Sequence, residues 1–236
     1  MFLWLNLYDS HEVRYKMNAR RAARELLLIL FSQLKKNSEN LNEEMISDII
    51  LRSVRMLVNS ATEELKLTSA GLLDMQDYLQ EIELNDEKNL ERPFEAENLP
   101  VPIPMTSDME KKVISLVDIS DKAFNALEIA ELTILSQSKE VQDYIINVTK
   151  TYQSNRKEVK ELISQCSIGW GLDRILKIDK DIMKIAVTEL LFIKEIPVKV
   201  VIDEAVELAK KYSSEESTPF INGILGQIVK VKNLKD

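Results

Sequence analysis

The sequence predicts an all-α fold, and three observations carry that expectation. Glycine and proline are scarce, with 5 and 6 copies in 236 residues, and aromatics make up 6%, a composition unlike that of a β-sandwich or barrel. Most long segments repeat their apolar residues at three- and four-residue spacing, the period of one helix face. The prolines either gather in one stretch, Pro93 to Pro104, or stand where a helix can begin, at Pro197 and Pro219.

Each element follows from its own pattern. Residues 18–35 carry Leu26, Leu27, Leu30, Phe31 and Leu34 on one face, and Asn18 can cap the start. Residues 41–66 repeat the pattern with Leu41, Met45, Ile49, Leu57 and Leu65, and a shorter helix over 68–83 is expected from Leu72, Leu73, Leu79 and Ile82. Residues 84–107 hold Pro93, Pro100, Pro102 and Pro104 among Asn, Asp and Glu. Proline fixes φ and removes a donor, so this stretch reads as an extended connection. Two long helices are expected over 108–137 and 139–165, and Gly169-Trp170-Gly171 breaks the chain after them. Asp179 is expected to cap the next helix, Pro197 to open one running to Lys211, and Thr218-Pro219 to open the last. Asn222-Gly223 is a hairpin signal, but Phe220, Ile221, Ile224, Leu225, Ile228 and Val229 around it have helical spacing. Gly223 and Gly226 in a helix cost roughly 1 kcal/mol each against Ala. Close approach of another helix or of a ligand backbone would account for them.

Composition narrows the function. One cysteine, Cys166, leaves no internal disulfide and no cysteine-based zinc cluster, and fits a reducing compartment. Phosphate-loop, dinucleotide and zinc-protease motifs are missing. The one histidine, His11, lies in the leader, so a Ser-His or Cys-His nucleophile is not expected. No catalytic residue, cofactor or metal site is assigned. The opening apolar run is too short to span a bilayer and lacks the basic region and cleavage site of a signal peptide. The chain reads as cytoplasmic, with no membrane contact. Met17 directly precedes the first patterned helix, so residues 1–16 are expected as a loose extension or an unused upstream start.

The formal net charge of −8 argues against indiscriminate nucleic-acid binding by the whole surface. A local basic site remains: Arg14, Lys16, Arg20, Arg21 and Arg24, opposed nearby by Glu12 and Glu25. On a helix Arg20 and Arg24 share a face, with Arg21 about 100° round from Arg20. Guanidinium forks suit phosphates and stack on bases. Positive charge at a helix start opposes the macrodipole at a cost of ~0.3–1 kcal/mol, which a bound ligand would offset; simple solvation of one helix end is the other reading.

Two stretches together point to a family. Ala19-Arg20-Arg21-Ala22-Ala23-Arg24-Glu25, continuing to Gln33, resembles the opening helix of the bacterial antitermination factor NusB. Residues 170–229, with Asp203-Glu204-Ala205, Glu207-Leu208-Ala209 and Phe220-Ile221-Asn222-Gly223, are similar to the C-terminal half of that family. The resemblance covers about a third of the chain and suggests a long, cyanobacterial-type member. It implies an all-helical bundle of two packed subdomains over 17–236 and no catalysis. It also implies pairing with NusE, a small-subunit ribosomal protein. The pair binds single-stranded boxA-type RNA and helps RNA polymerase read through terminators in ribosomal RNA operons.

By position, the resemblance implies RNA contacts for Arg20, Arg21, Arg24, Lys184 and Glu216, and a NusE-facing role for Asp173 and Asp179. Ser32 stands where some members carry an RNA-contacting tyrosine. Phe220, Leu225 and Ile185 are expected in the core, and Asn222 as a structural hydrogen-bonder. Residues 36–107 are the departure, an insertion of two helices and the proline-rich connector. It serves either as a cover for the N-terminal subdomain or as a further protein contact. A homodimer is compatible with all of this. Two alternatives stay open: a helical interaction module without RNA binding, and a relative of the RNA-binding domain of ribosomal RNA cytosine methyltransferases. The second would need a catalytic domain after Asp236.

Overall fold

A computed structural model describes the backbone of residues 2–33, 41–93, 99–102, 106–167 and 175–234, with side chains from residue 18 onward except 106–108. Among these residues there are helices, turns and connections but no strand. In chain order the helices are α1 Phe2–Gln33, α2 Glu43–Leu84, α3 Glu87–Leu90, α4 Thr106–Ser136, α5 Lys139–Ser154, α6 Arg156–Cys166, α7 Lys177–Phe192, α8 Val198–Tyr212 and α9 Ser217–Val231. The all-α expectation holds. The Gly169-Trp170-Gly171 break and Asp173 lie outside the described residues.

The chain forms two compact units, one of residues 1–54 with 134–236 and the other of residues 55–133. In the first, α7 is the central helix and touches α1, α5, α6, α8 and α9. Its sequence shows why: Ile182, Met183, Ile185, Ala186, Val187 and Leu190 are all buried, and a helix apolar on most sides must be surrounded. Its buried carboxylates each accept from a neighbouring segment or from α7 itself, although Asp181 Oδ2 has no partner among the described residues. Asp179 accepts from Ser213 and Ser217, Asp181 from Lys184, and Glu189 from Arg24 and Tyr144. Alanines Ala19, Ala22 and Ala23 let the second half of α1 lie close to its neighbours, and Leu26, Leu27, Leu30 and Phe31 continue the buried face. Ile185 and Leu225 are core, as expected, whereas Phe220 is half-buried and Asn222 is exposed.

Several boundaries differ from the pattern, each for a local reason. α1 takes in residues 2–16, which the periodicity left outside the helix, so Asn18 is not its cap and Arg20, Arg21 and Arg24 do not stand at a helix start where the macrodipole would oppose them. The expected helices 41–66 and 68–83 are one, α2. Thr68 is buried and does not break the helix, and Gly71 gives Ile119 of α4 room, since a Cβ there would lie 3.2 Å from Ile119 Cδ1. Residues 139–165 are two helices instead of one: Asn155, at φ −115° and ψ 19°, leaves the helical region, and its Nδ2 donates to the Thr151 carbonyl at 2.9 Å. Asp179 does not cap α7. Leu176 is the cap residue, and Asp179 sits in the first turn with its side chain turned inward.

The second unit is built from the distal part of α2, α3 and most of α4. Among the described residues, Asn89 ties the proline-rich connection to the end of α2. Asn89 donates through Nδ2 to the carbonyls of Glu83 (2.8 Å) and Leu99 (3.0 Å), and its Oδ1 accepts from the Leu99 amide at 2.8 Å. Residues 55–133 contain 7 Lys and Arg against 17 Asp and Glu, a net −10, so the other unit carries +2 of the chain's −8. The boundary also moves the insertion: it separates from the first unit inside α2, after buried Ile46, Ile50 and Val54, and inside α4.

Asn222-Gly223 lies within α9, so helical spacing overrides the turn signal. Gly226 does not meet the expected close approach, since a Cβ there would have nothing within 4 Å. Gly226→Ala should therefore stabilise the protein by roughly 0.5–1 kcal/mol through helix propensity, read as a higher midpoint in urea unfolding. A lower midpoint would mean that a neighbour does occupy that space.

Candidate nucleic-acid interface

The arginine-rich turn of α1 is split by burial into inward and outward guanidinium groups. Helical geometry places Arg24 on the same face as Ala23 and Leu27, toward the core, and its side chain is 4% exposed. Its Nε donates to both carboxylate oxygens of Glu189, at 2.9 and 3.0 Å, and Nη1 lies 3.6 Å from Glu204. Tyr144 of α5 completes the group by donating its hydroxyl to Glu189 Oε1 at 2.5 Å. One carboxylate of α7 thus ties α1 and α5 to the central helix.

The electrostatics follow from this burial. Desolvation opposes the Arg24 charge, but Glu189, Tyr144 and Glu204 outweigh it and raise its pKa. Burial pushes the Glu189 carboxyl up, against the pull of Arg24 and the Tyr144 hydrogen bond. Burial also drives the Tyr144 phenol well above its ordinary value, with the Glu189 charge adding to it. Tyr144 therefore stays a donor at any physiological pH. Arg24 Nη2 is buried without a partner among the described residues, so the guanidinium is held by its paired nitrogens and has no exposed fork to offer.

Arg20 and Arg21 take the other directions. Arg21 is exposed, and its Nη2 and Nε donate to the two oxygens of Glu204 on α8 at 3.0 and 3.3 Å. That contact, first of all, raises its pKa. Arg20 is half-buried and lines a concavity of about 670 Å³ between α1 and the start of α5, with Lys139, Tyr144 and Asn147 and with the carboxylates Glu140 and Asp143. Further along α1, Glu25 accepts from Lys211 at 3.2 Å and from Tyr212 at 3.0 Å. Burial, then Glu25, pushes the Tyr212 phenol up to about 12. Ser32 is exposed and donates to the Ile29 carbonyl, while its own carbonyl accepts from Lys177.

The remaining expected site residues are dispersed. Lys184 pairs with Asp181 at 2.5 Å on α7, five positions from Glu189 and so about 140° round the helix from it. Asp179 is 3% exposed and is a clamp: its two oxygens accept from Ser213 at 2.5 Å and Ser217 at 2.9 Å. Its carboxylate is thus turned into the fold. The clamp fixes the turn that carries exposed Glu215 and Glu216 into α9. Sequence reasoning did not single out Glu189, Glu204, Tyr144 or Lys139 for the site. A signal for Glu189 exists: an acidic residue inside the apolar stripe Ile182, Ile185, Ala186, Leu190 needs a buried cation.

Removing one member of a buried pair leaves an uncompensated charge, which typically costs about 3–5 kcal/mol. An exposed pair is worth ~0–1 kcal/mol. Arg24→Ala should therefore destabilise by several kcal/mol, and Arg21→Ala by about 1 kcal/mol or less, in urea unfolding. Equal losses would contradict this division of the arginines.

The profile of the NusB family matches residues 108–230, just over half of the chain. Curated relatives named transcription antitermination protein NusB come from Microcystis aeruginosa, 34% identical over 92% of this chain and 94% of that one, and from Trichodesmium erythraeum, 34% identical over 90% and 96%. A third, from Gloeothece citriformis, is 32% identical over 90% and 94%. A solved structure of T. maritima NusB aligns at 33% identity over 43% of this chain and 75% of that one, with a TM-score of 0.38. The aligned spans of the cyanobacterial relatives leave about a tenth of this chain outside, so most of the middle segment has a counterpart in them. The profile and these near full-length alignments have one consequence: this chain belongs to the NusB family.

Proposed function

We propose that the protein is a non-catalytic RNA-binding antitermination factor that acts with NusE on boxA-type RNA and through it on the RNA polymerase elongation complex. The name of its relatives supports the coarse role. The arrangement of α1 supports the location: an inward ion pair sets the helix so that Arg21 is exposed and half-buried Arg20 opens into the concavity it shares with Lys139. This pair of arginines is the observation that carries the reading. Single-stranded RNA would meet the guanidinium of Arg20 in the concavity, and phosphate would compete with Glu204 for Arg21. Arg24 takes the supporting role, holding the helix from which the other two project. Because the first unit carries +2 and the acidic excess lies in residues 55–133, the net charge of −8 does not describe the surface RNA would approach.

Lys184 and Glu216 are secondary in this reading. Lys184 would share its ammonium between Asp181 and a phosphate, and Glu216 would border the RNA as an acceptor for base amino groups or the 2′-hydroxyl. Asp173 remains assigned to the NusE-facing surface. Asp179 contributes there through the turn it clamps.

The test is a salt series on boxA-like RNA in the presence of NusE. Each phosphate neutralised on a single strand contributes a slope of about −0.7 in log K against log salt. Arg20→Ala and Arg21→Ala should each weaken binding and flatten the slope by up to about that amount, with the fold intact by circular dichroism. If the double variant keeps the parent affinity and slope, RNA binds elsewhere.

A further inference from the structure

Residues 55–133 expose an apolar face that the RNA-binding reading does not use. The contacts within this unit show α2 and α4 running antiparallel: Gly71 meets Ile119, and Lys112 Nζ stands 4.3 Å over the Tyr78 ring. On α2 the less exposed positions are Ala61, Glu64, Thr68, Gly71, Met75 and Tyr78, spaced alternately by three and four residues. That is the seam of a coiled coil.

A second stripe follows the seam one residue later. Leu65, Leu72 and Leu79 recur every seven residues on α2, and Val117, Phe124 and Leu127 keep seven and three on α4. All six are between 43% and 67% exposed. One residue is a rotation of about 100° round a helix. In two antiparallel helices, that rotation from facing seams carries both stripes to the same side of the hairpin. The six side chains expose on the order of 600 Å², the largest apolar patch expected on a monomer and close to one partner's share of a standard interface.

The charges around this face select the occupant. Asp121, Glu128 and Glu131 lie within about 80° of the α4 stripe, and Glu83 follows Leu79 by four residues. Lys112 and Lys122 sit on the seam side, over Tyr78 and beside Asp118, and do not offset them. A second copy would bring another −10 against the first, which like-charge repulsion opposes. A two-helix groove with coiled-coil spacing seats a third helix. We propose that this hairpin is a docking arm for a basic amphipathic helix of another protein, with leucine-type residues against Leu65, Leu72, Leu79 and Phe124 and Lys or Arg beside the acidic rim.

The test uses the full chain and two synthetic helical peptides with identical heptad leucines, one flanked by lysines and one by glutamates. Fluorescence anisotropy should show the lysine peptide binding, more weakly as salt rises, and the glutamate peptide at least tenfold weaker. Leu72→Gln with Phe124→Gln should weaken the lysine peptide at least tenfold while leaving RNA affinity and helix content unchanged. If that variant misfolds by circular dichroism, Leu65→Gln with Leu127→Gln replaces it under the same criterion. Binding of neither peptide, or of both equally, overturns the proposal. So does a parent dimer in sedimentation that the same substitutions dissociate, since the face would then belong to a second copy.

Discussion

The buried ion pair between Arg24 and Glu189 is the constraint on which the arrangement of the first unit depends. Two charges taken out of water are tolerated only when each is paired and hydrogen-bonded. Glu189 meets this with Arg24 from α1 and the Tyr144 hydroxyl from α5, so three helices must hold one register at one point. The pair is a weak source of net stability but a strong penalty against misalignment. A sliding of α1 by one residue would carry Arg24 about 100° away from Glu189. A second polar clamp, Asp179 on Ser213 and Ser217, fixes the turn between α8 and α9 by the same logic. The apolar contacts supply the bulk of the burial, and these two polar groups select which packing is used.

The same constraint separates two kinds of arginine within five residues. Composition presents Arg20, Arg21 and Arg24 as one basic cluster. Burial makes Arg24 a structural cation and leaves Arg20 half-buried and Arg21 exposed. Charge is divided on a larger scale too. The acidic balance of the chain belongs to residues 55–133, and the unit with the arginine-rich turn is slightly basic. A formal net charge averages over two surfaces with different chemistry.

How legible this was in the sequence depends on the range of the interaction. Helices are local, so apolar periodicity located most of them, and Ile185 and Leu225 fell in the core as expected. Boundaries that depend on a neighbour were missed. The space that Gly71 leaves in α2 is filled by Ile119, forty-eight positions away, and the break at Asn155 is accompanied by a side-chain bond to Thr151 that periodicity does not register. The inward turn of Asp179 required Ser213 and Ser217, and that of Arg24 required Glu189, residues distant in sequence. The opposite error concerns Gly226, where a packing reason was expected and open space is found.

The central claim is that Arg24 acts on RNA only through the helix it holds. Its most direct test is the salt slope of boxA-like RNA binding, with NusE present, for the apolar replacement Arg24→Met with Glu189→Leu. That exchange removes both charges together, and such replacements are often neutral or stabilising. The account predicts the parent's slope, because Arg24 neutralises no phosphate. A slope flattened by about 0.7, the value for one lost single-strand phosphate contact, would place Arg24 on the RNA and contradict it.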